Sequence, residues 1–259
     1  MSERTFLDEN EGRPLTSRRG FLTGSAAALA GGALMAVPGV AFGKGNGEDD
    51  DMNHGGRRHN GGVTDIDILN YALVLERLEY EFYKRYLNRY NERQIEGAAI
   101  FDGFGSKVRS KIYQNLKRIR AHEETHVETL IAVIKSLGGK PVGGSSLGGK
   151  TEYDFGVNSV KDFITTAQVL EDTGVSAYDG AIAYIHRPGL QTASATIATV
   201  EARHASYLRL LNGKVPFPDA FDEPVAPQKV CEAVDPFITK SPFNLKAFCE
   251  SLPNKVITL

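Results

Sequence analysis

The chain has 259 residues, of which 41% are hydrophobic and 24% are charged, and its formal net charge is −2. This near-neutral charge gives no electrostatic case for binding nucleic acid or an anionic membrane, and the apolar fraction is too high for a disordered chain. Two cysteines are too few for a disulfide scaffold or a cysteine-rich metal cluster. The glycines concentrate before residue 63 and between 138 and 149, which divides the chain into a leader, a long body and an internal loop.

The leader resembles an export signal. Arg18 and Arg19 precede Gly-Phe-Leu and a mildly apolar stretch rich in Ala and Gly, with small residues up to Gly43. Twin arginines in this setting are typical of a twin-arginine (Tat) signal with a cleavage site behind it. We predict a Tat signal over 1–43 and a flexible linker over 44–62, with an uncleaved membrane anchor as the alternative. The mature protein is expected in the periplasm or outside the cell, without stable membrane insertion after cleavage.

The chain's two cysteines, Cys231 and Cys249, lie in the last thirty residues. The predicted destination is oxidising, and no other cysteine competes for either of them. We therefore expect them to form a disulfide.

The body, from 63 to 213, shows the apolar spacing of four long helices. The predicted helices run from about Thr64 through Tyr86, Ser106 to Leu137, Ser159 to His186 and Thr192 to Leu211. Two short connections and one long Gly-rich loop between the pairs predict an all-α four-helix bundle. The Pro-rich remainder, 214–259, is expected to pack on the outside of this bundle as a C-terminal extension.

Charged residues recur at matched places in these helices. The second and fourth helices each contain Glu-x-x-His, whose two residues share one helix face. The first and third each carry a Glu followed seven residues later by a Tyr, again on one face. The matched residues are Glu123 and His126, Glu201 and His204, Glu76 and Tyr83, and Glu171 and Tyr178. The order indicates an internal duplication of a helical hairpin.

This set of residues predicts a metal site. Four carboxylates and two imidazoles in a bundle core would repel one another without a cation. One Glu from each of two helices plus Glu-x-x-His from the other two is the ligand set of di-iron and di-manganese carboxylate bundles. We therefore predict two divalent metal ions, iron or manganese, at Glu76, Glu123, His126, Glu171, Glu201 and His204. The alternative, a set of solvated surface residues, conflicts with the charge-poor surroundings of Glu171 and Glu201.

Three nearby residues have open roles. Glu79 lies three residues after Glu76 and could be an extra ligand, an acceptor beside the ligands or a partner within its helix. The duplication points to Glu76 as the ligand, because the third helix has Gly174 at the place of Glu79. Tyr83 and Tyr178 could hydrogen-bond the ligand carboxylates or could be ordinary core aromatics.

His122 creates a competing motif. With Glu123 and His126 it forms His-Glu-x-x-His, in which zinc proteases use the two histidines as ligands and the glutamate as general base. That interpretation leaves Glu201 and His204 unexplained and lacks an obvious third ligand nearby. A zinc protease is therefore the minor alternative.

The start of the first helix carries a family resemblance. Residues 64–73, Thr-Asp-Ile-Asp-Ile-Leu-Asn-Tyr-Ala-Leu, and the Leu-Glu-x-Leu-Glu and Phe-Tyr that follow resemble the ferritin-like desiccation-related proteins. In the tail, the Phe-Asp-Glu-Pro at 221–224 and the Asp-Pro-Phe-Ile at 235–238 are also similar to theirs. The resemblance covers about 63–240. It implies a ferritin-like fold, frequent export and a di-metal site at the six residues, without a settled activity.

Three functions remain open from the sequence. A reactive metal pair would act on O₂ or peroxide, as an oxidase, a peroxidase or a manganese-catalase-like enzyme. A non-catalytic protein would bind metal or have a structural role in stress or desiccation, and a vestigial site would leave the tail to serve an interaction. A small homo-oligomer is compatible with each of the three functions, whereas the tail and the long loop argue against a storage cage.

Overall fold

The computed structural model describes residues 62–257, which are predominantly helical. The predicted signal at 1–43, and the linker before residue 62, lie outside these residues. The helices are α1 (Asp65–Arg89), α2 (Glu92–Glu96), α3 (Ser106–Ser136), α4 (Val160–Ala181), α5 (Pro188–Leu211), α6 (Pro227–Val234) and α7 (Leu245–Glu250). Two short strands, β1 (Glu152–Tyr153) and β2 (Ile238–Lys240), pair antiparallel. Within residues 62–257, none of the helices has the length and apolar character needed to cross a membrane.

The four long helices form two antiparallel hairpins that pack into one bundle. Helix α1 packs mainly on α3, helix α4 on α5, and α1 also on α4. Asn70 near the start of α1 donates a hydrogen bond to the carbonyl of Lys140, just beyond the end of α3 (3.2 Å). Asn212 after α5 reaches the carbonyl of Ile164 near the start of α4 (3.2 Å). One long crossover between the hairpins gives the all-α, ferritin-like bundle that the sequence predicted.

The helix ends follow local chemistry. Thr64 caps α1 with a reciprocal capping box, since its hydroxyl accepts from the Asp67 amide (3.3 Å) and the Asp67 carboxylate accepts from its amide (2.8 Å). Ser159, at the start of the predicted third helix, caps α4 because its hydroxyl accepts from the Asp162 amide (3.1 Å). Helix α5 begins at Pro188, four residues earlier than expected, because proline suits the first helical position.

Two short segments, one after α1 and one at the end of α4, differ from the prediction. The connection between α1 and α3 contains α2, which Asn91 caps through a reciprocal bond with Gln94. After Ala181, helix α4 narrows to a 3₁₀ turn over Ile182–Tyr184 and ends earlier than the predicted His186. Both segments are shorter than a hydrophobic period can reveal.

A buried arginine organises the crossover loop. The Arg77 side chain in α1 is 2% exposed. Its guanidinium donates hydrogen bonds to the carbonyls of Val142, Gly144 (2.6 Å), Ser146 (2.9 Å) and Leu147 (3.0 Å). The Gly-rich loop thus folds around a fixed cation, and its glycines let backbone carbonyls approach closely.

The C-terminal segment packs against the bundle. Helix α6 contacts α4 and α1, and the amide of Val225 donates to the carbonyl of Ser176 in α4 (3.0 Å). Gly180 is required at this crossing because a Cβ there would collide with the carbonyl of Val225. A disulfide between Cys231 and Cys249 joins α6 to α7.

Replacing Arg77 by Met should loosen this loop, since it removes the guanidinium that joins four of the loop's carbonyls. We expect the free energy of unfolding to fall by about 1–3 kcal/mol, measured by chemical denaturation, and protease cleavage to appear between 141 and 150. Lys246→Met is the control, because its ion pair with Glu250 is solvent-exposed and its loss should change stability by no more than about 0.5 kcal/mol. Equal effects of both variants would contradict the role given to Arg77.

Candidate metal centre

The bundle core holds a cluster of ionisable side chains, with at least one from each long helix. The four carboxylates are at most 1% exposed, and the two imidazoles are 8% and 5% exposed. The three-residue spacing of each Glu-x-x-His turns both side chains inward from one helix. The structure brings all six sequence-predicted residues together: Glu76 from α1, Glu123 and His126 from α3, Glu171 from α4, and Glu201 and His204 from α5.

One half of the cluster centres on His126. Its Nδ1 atom lies 3.1 Å from Oε2 of Glu76, 3.0 Å from Oε2 of Glu123 and 3.1 Å from Oε1 of Glu201. In either charge state of the imidazole, Nδ1 carries at most one N–H, which can serve only one of these three carboxylates well. The arrangement therefore presents three oxygens and one nitrogen to a common point.

The other half centres on His204. Its Nδ1 atom lies 3.1 Å from Oε1 of Glu123, 3.1 Å from Oε2 of Glu171 and 3.8 Å from Oε2 of Glu201. Glu123 and Glu201 therefore give one oxygen to each half. In each half, the four candidate ligand atoms lie within 4.8 Å of one another.

The residues present fit a pair of divalent cations. Oε1 of Glu123 and both carboxylate oxygens of Glu201 are buried and make no hydrogen bond in the described part of the chain. Buried acceptors without partners are costly and uncommon in folded proteins. Carboxylate oxygens and imidazole nitrogens suit iron or manganese, and no thiolate is present to favour a softer metal.

The ionisable groups of the cluster shift one another's pKa values. Burial alone would lower the pKa of His204, but Glu171, Glu123 and Glu201 raise it to about 12. Burial would also lower the pKa of His126, but the neighbouring carboxylates raise it well above its ordinary value. Burial would raise the pKa values of Glu123 and Glu201, yet the two histidines hold both below the ordinary range.

Two tyrosines hold the outer carboxylates. The hydroxyl of Tyr178 donates to Oε1 of Glu76 (2.5 Å), and that of Tyr83 donates to Oε1 of Glu171 (2.6 Å). Burial raises the pKa of Glu76 to about 8 and that of Glu171 well above its usual range, with a histidine opposing it in each case. The structure thus places both tyrosines as hydrogen-bond donors to the cluster rather than as purely apolar core residues.

Glu79 lies beside the cluster rather than inside either half. It is 3% exposed, and burial, followed by the nearby carboxylates, raises its pKa well above the ordinary value. Its Oε1 atom packs over Gly174, 3.1 Å from where a Cβ would stand. The missing side chain of Gly174 gives Glu79 its space.

His122 belongs to neither half among the described residues. Its Nδ1 atom lies 2.9 Å from Nε2 of His204, so it contacts the ring edge that points away from the carboxylates. This placement favours the dinuclear interpretation over the zinc protease, which needs His122 and His126 on one ion. Sequence reasoning missed this contact, although the duplication offered a signal, since the place of His122 in α5 is taken by Val200.

Removing either tyrosine hydroxyl should weaken metal binding. Tyr83→Phe and Tyr178→Phe each leave a buried carboxylate one donor short, and loss of such a partner lowers metal affinity by about 10–100-fold. Competition with a chromophoric chelator measures the change. Tyr71→Phe is the matched control, because the Tyr71 hydroxyl is buried without a partner in the described structure. Equal affinity for all three variants would contradict the role of the tyrosines.

Metal binding should release protons. Both histidines hold protons at neutral pH, because their pKa values are raised, and a cation at Nδ1 must displace the proton there. We expect at least two protons per chain, with a further contribution from Glu76 and Glu171, whose pKa values are also raised. The affinity should rise with pH, since fewer protons then compete. Calorimetric titration with Mn²⁺ in buffers of different ionisation enthalpy measures this. A binding heat independent of the buffer would count against ligation by the two histidines.

Comparison with known proteins agrees with this geometry. Residues 64–214 match the family model of the ferritin-like domain. Protein rds1 of Schizosaccharomyces pombe is 24% identical over 179 residues, which are 69% of this chain and 40% of that protein. The chain thus spans less than half the length of this curated relative. Since the family model matches more than half of the chain and covers all four long helices, the chain belongs to the ferritin-like domain family.

Proposed function

We propose that the protein holds a dinuclear iron or manganese carboxylate site and uses it on O₂ or peroxide. The observation that carries this proposal is the pair of buried donor sets that share Glu123 and Glu201. Three oxygens of the two shared glutamates make no hydrogen bond within the described residues, which suits them to accept cations at the centre. The proposed biological setting is protection against stress or desiccation, following the family resemblance.

The residues have distinct parts in this proposal. Glu76 and Glu171 would each serve one cation, whereas the two shared glutamates would serve both. Tyr178 and the equivalent tyrosine in α1 fix the orientation of the outer carboxylates. When bound, a pair of redox-active metals supplies electron exchange with O₂ or peroxide, while carboxylates neutralise the charge.

Burial restricts the substrate. The carboxylates are at most 1% exposed, and the histidines are nearly covered. A large organic substrate would have to displace core side chains, which native packing resists. Molecules as small as O₂ and hydrogen peroxide meet no such barrier of size.

The burial of the proposed ligands also favours a second candidate function, which is metal binding without turnover. Outer carboxylates already held by tyrosines and histidines resemble a site built to retain an ion. In that case the protein would sequester metal during stress. The two functions share one ligand set and differ in whether the bound metals react.

Export is part of the proposal. The twin arginines at Arg18 and Arg19 suggest the Tat route, and the disulfide between Cys231 and Cys249 suits an oxidising compartment. We place the mature protein in the periplasm or outside the cell.

Metal analysis with turnover assays tests the proposal. Protein purified from its native host should carry two iron or manganese ions per chain and consume O₂ or hydrogen peroxide. Two ions without consumption would support the non-catalytic candidate. Glu201→Gln should lose metal, whereas Glu128→Gln is a matched control because Glu128 lies exposed on α3. Wild-type protein without metal, together with unchanged thermal stability in Glu201→Gln, would overturn both candidates.

A further inference from the structure

We propose that His122 is a positioning residue for one half of the site: its Nδ1 accepts a hydrogen bond from Nε2–H of His204 and thereby fixes that ligand's tautomer and ring orientation. Because only one ligand histidine has this support, the two proposed metal positions differ in affinity. This inference rests on the proposed dinuclear site and concerns how its two positions are distinguished.

The hydrogen-bond direction follows from geometry. Nδ1 of His204 faces the carboxylates at 3.1 Å, and a cation there needs the lone pair of that nitrogen. The ring proton must then sit on Nε2, which lies 2.9 Å from Nδ1 of His122. Two N–H groups cannot point at each other, so His122 is the acceptor and carries its own proton on Nε2.

The contact constrains the whole imidazole of His204. The two rings are nearly parallel, with 16° between their planes and 5.2 Å between centroids. Nδ1 is held on one side by carboxylates and Nε2 on the other by His122. A ligand histidine whose second nitrogen is bonded in this way keeps one orientation and becomes a better donor to the metal.

The other half has no counterpart. The hairpin duplication equates Glu123 with Glu201, so the place of His122 corresponds to Val200, whose side chain offers no acceptor. Among residues 62–257, Nε2 of His126 makes no side-chain hydrogen bond. The duplicated hairpins therefore support their ligand histidines differently.

An open pocket meets the site behind this pair. A cavity of about 160 Å³ is lined by His122 and His204 and flanked by Arg118 and Arg203. His122 is half-buried there, and water in the open cavity can accept from its Nε2–H. The hydrogen bonds that run from His204 through His122 thus end in solvent, and each N–H donor along them has an acceptor.

Titration of metal-free protein with Mn²⁺ tests the proposal, with free Mn²⁺ followed by electron paramagnetic resonance. His122→Val installs the residue found at the equivalent place and should weaken one of two Mn²⁺ ions by about 10–100-fold. The other ion should stay within about twofold. Val200→Ala, a truncation at the equivalent place in the other hairpin, should change neither affinity.

Two further variants separate positioning from bulk packing. His122→Asn offers a carbonyl near the place of Nδ1 and should restore most of the lost affinity. His122→Gln offers its carbonyl near the place of Nε2 and should not. These amide variants keep polarity and similar volume, so they test the proposal even if the valine variant folds poorly.

Background variants assign the weakened position. In Glu76→Gln the remaining Mn²⁺ should be the one that His122→Val weakens, whereas in Glu171→Gln it should be insensitive. Unchanged affinities in both the valine and glutamine variants, equal weakening of both ions, or no rescue by asparagine would overturn the inference. Wild-type protein that binds no Mn²⁺ or iron would instead overturn the proposed function, and the inference with it.

Discussion

The bundle core buries more carboxyl groups than its two imidazoles can neutralise when all of them are ionised, and this imbalance governs the arrangement around them. Four carboxylates share a space with two imidazoles, and both oxygens of Glu201 lack a hydrogen-bond partner in the described chain. Burial makes an ionised carboxylate costly, which raises the pKa values of Glu76 and Glu171. Tyr83 and Tyr178 each supply one donor from the facing helix pair. Cations at the centre would complete the balance, so metal content and stability are expected to be linked.

The hairpin duplication explains the symmetry of the site, and its exceptions explain where the halves diverge. Each hairpin supplies one outer glutamate, one tyrosine and one Glu-x-x-His. Gly174 breaks the pattern opposite Glu79 and leaves room for that carboxylate. His122 breaks it again behind His204. The duplicated hairpins thus form two similar proposed metal positions, and single residues such as Gly174 and His122 make their surroundings unequal.

The sequence allowed the bundle and the six clustered residues to be predicted, because both depend on local periods. Apolar spacing marked the long helices, and Glu-x-x-His three-residue spacing placed each pair on one face. The duplication marks His122 as an exception to the repeat but does not reveal its contact with His204, which joins residues 82 positions apart on different helices. Nor does the sequence reveal the contacts of Arg77, whose four carbonyl partners come from a loop at least 65 residues away. Tertiary contacts of this kind leave no periodic trace.

Anomalous X-ray scattering from crystals of the natively purified protein can show whether the bundle core holds two metal ions. Data collected at the iron and manganese absorption edges locate the metal ions independently of any assumption about ligands. We expect two peaks in the bundle core, one beside Nδ1 of His126 and one beside Nδ1 of His204, with Glu123 and Glu201 between them. Ordered crystals of metal-replete protein with no peak there, or with a single peak bound by His122 and His126, would contradict the proposed dinuclear site.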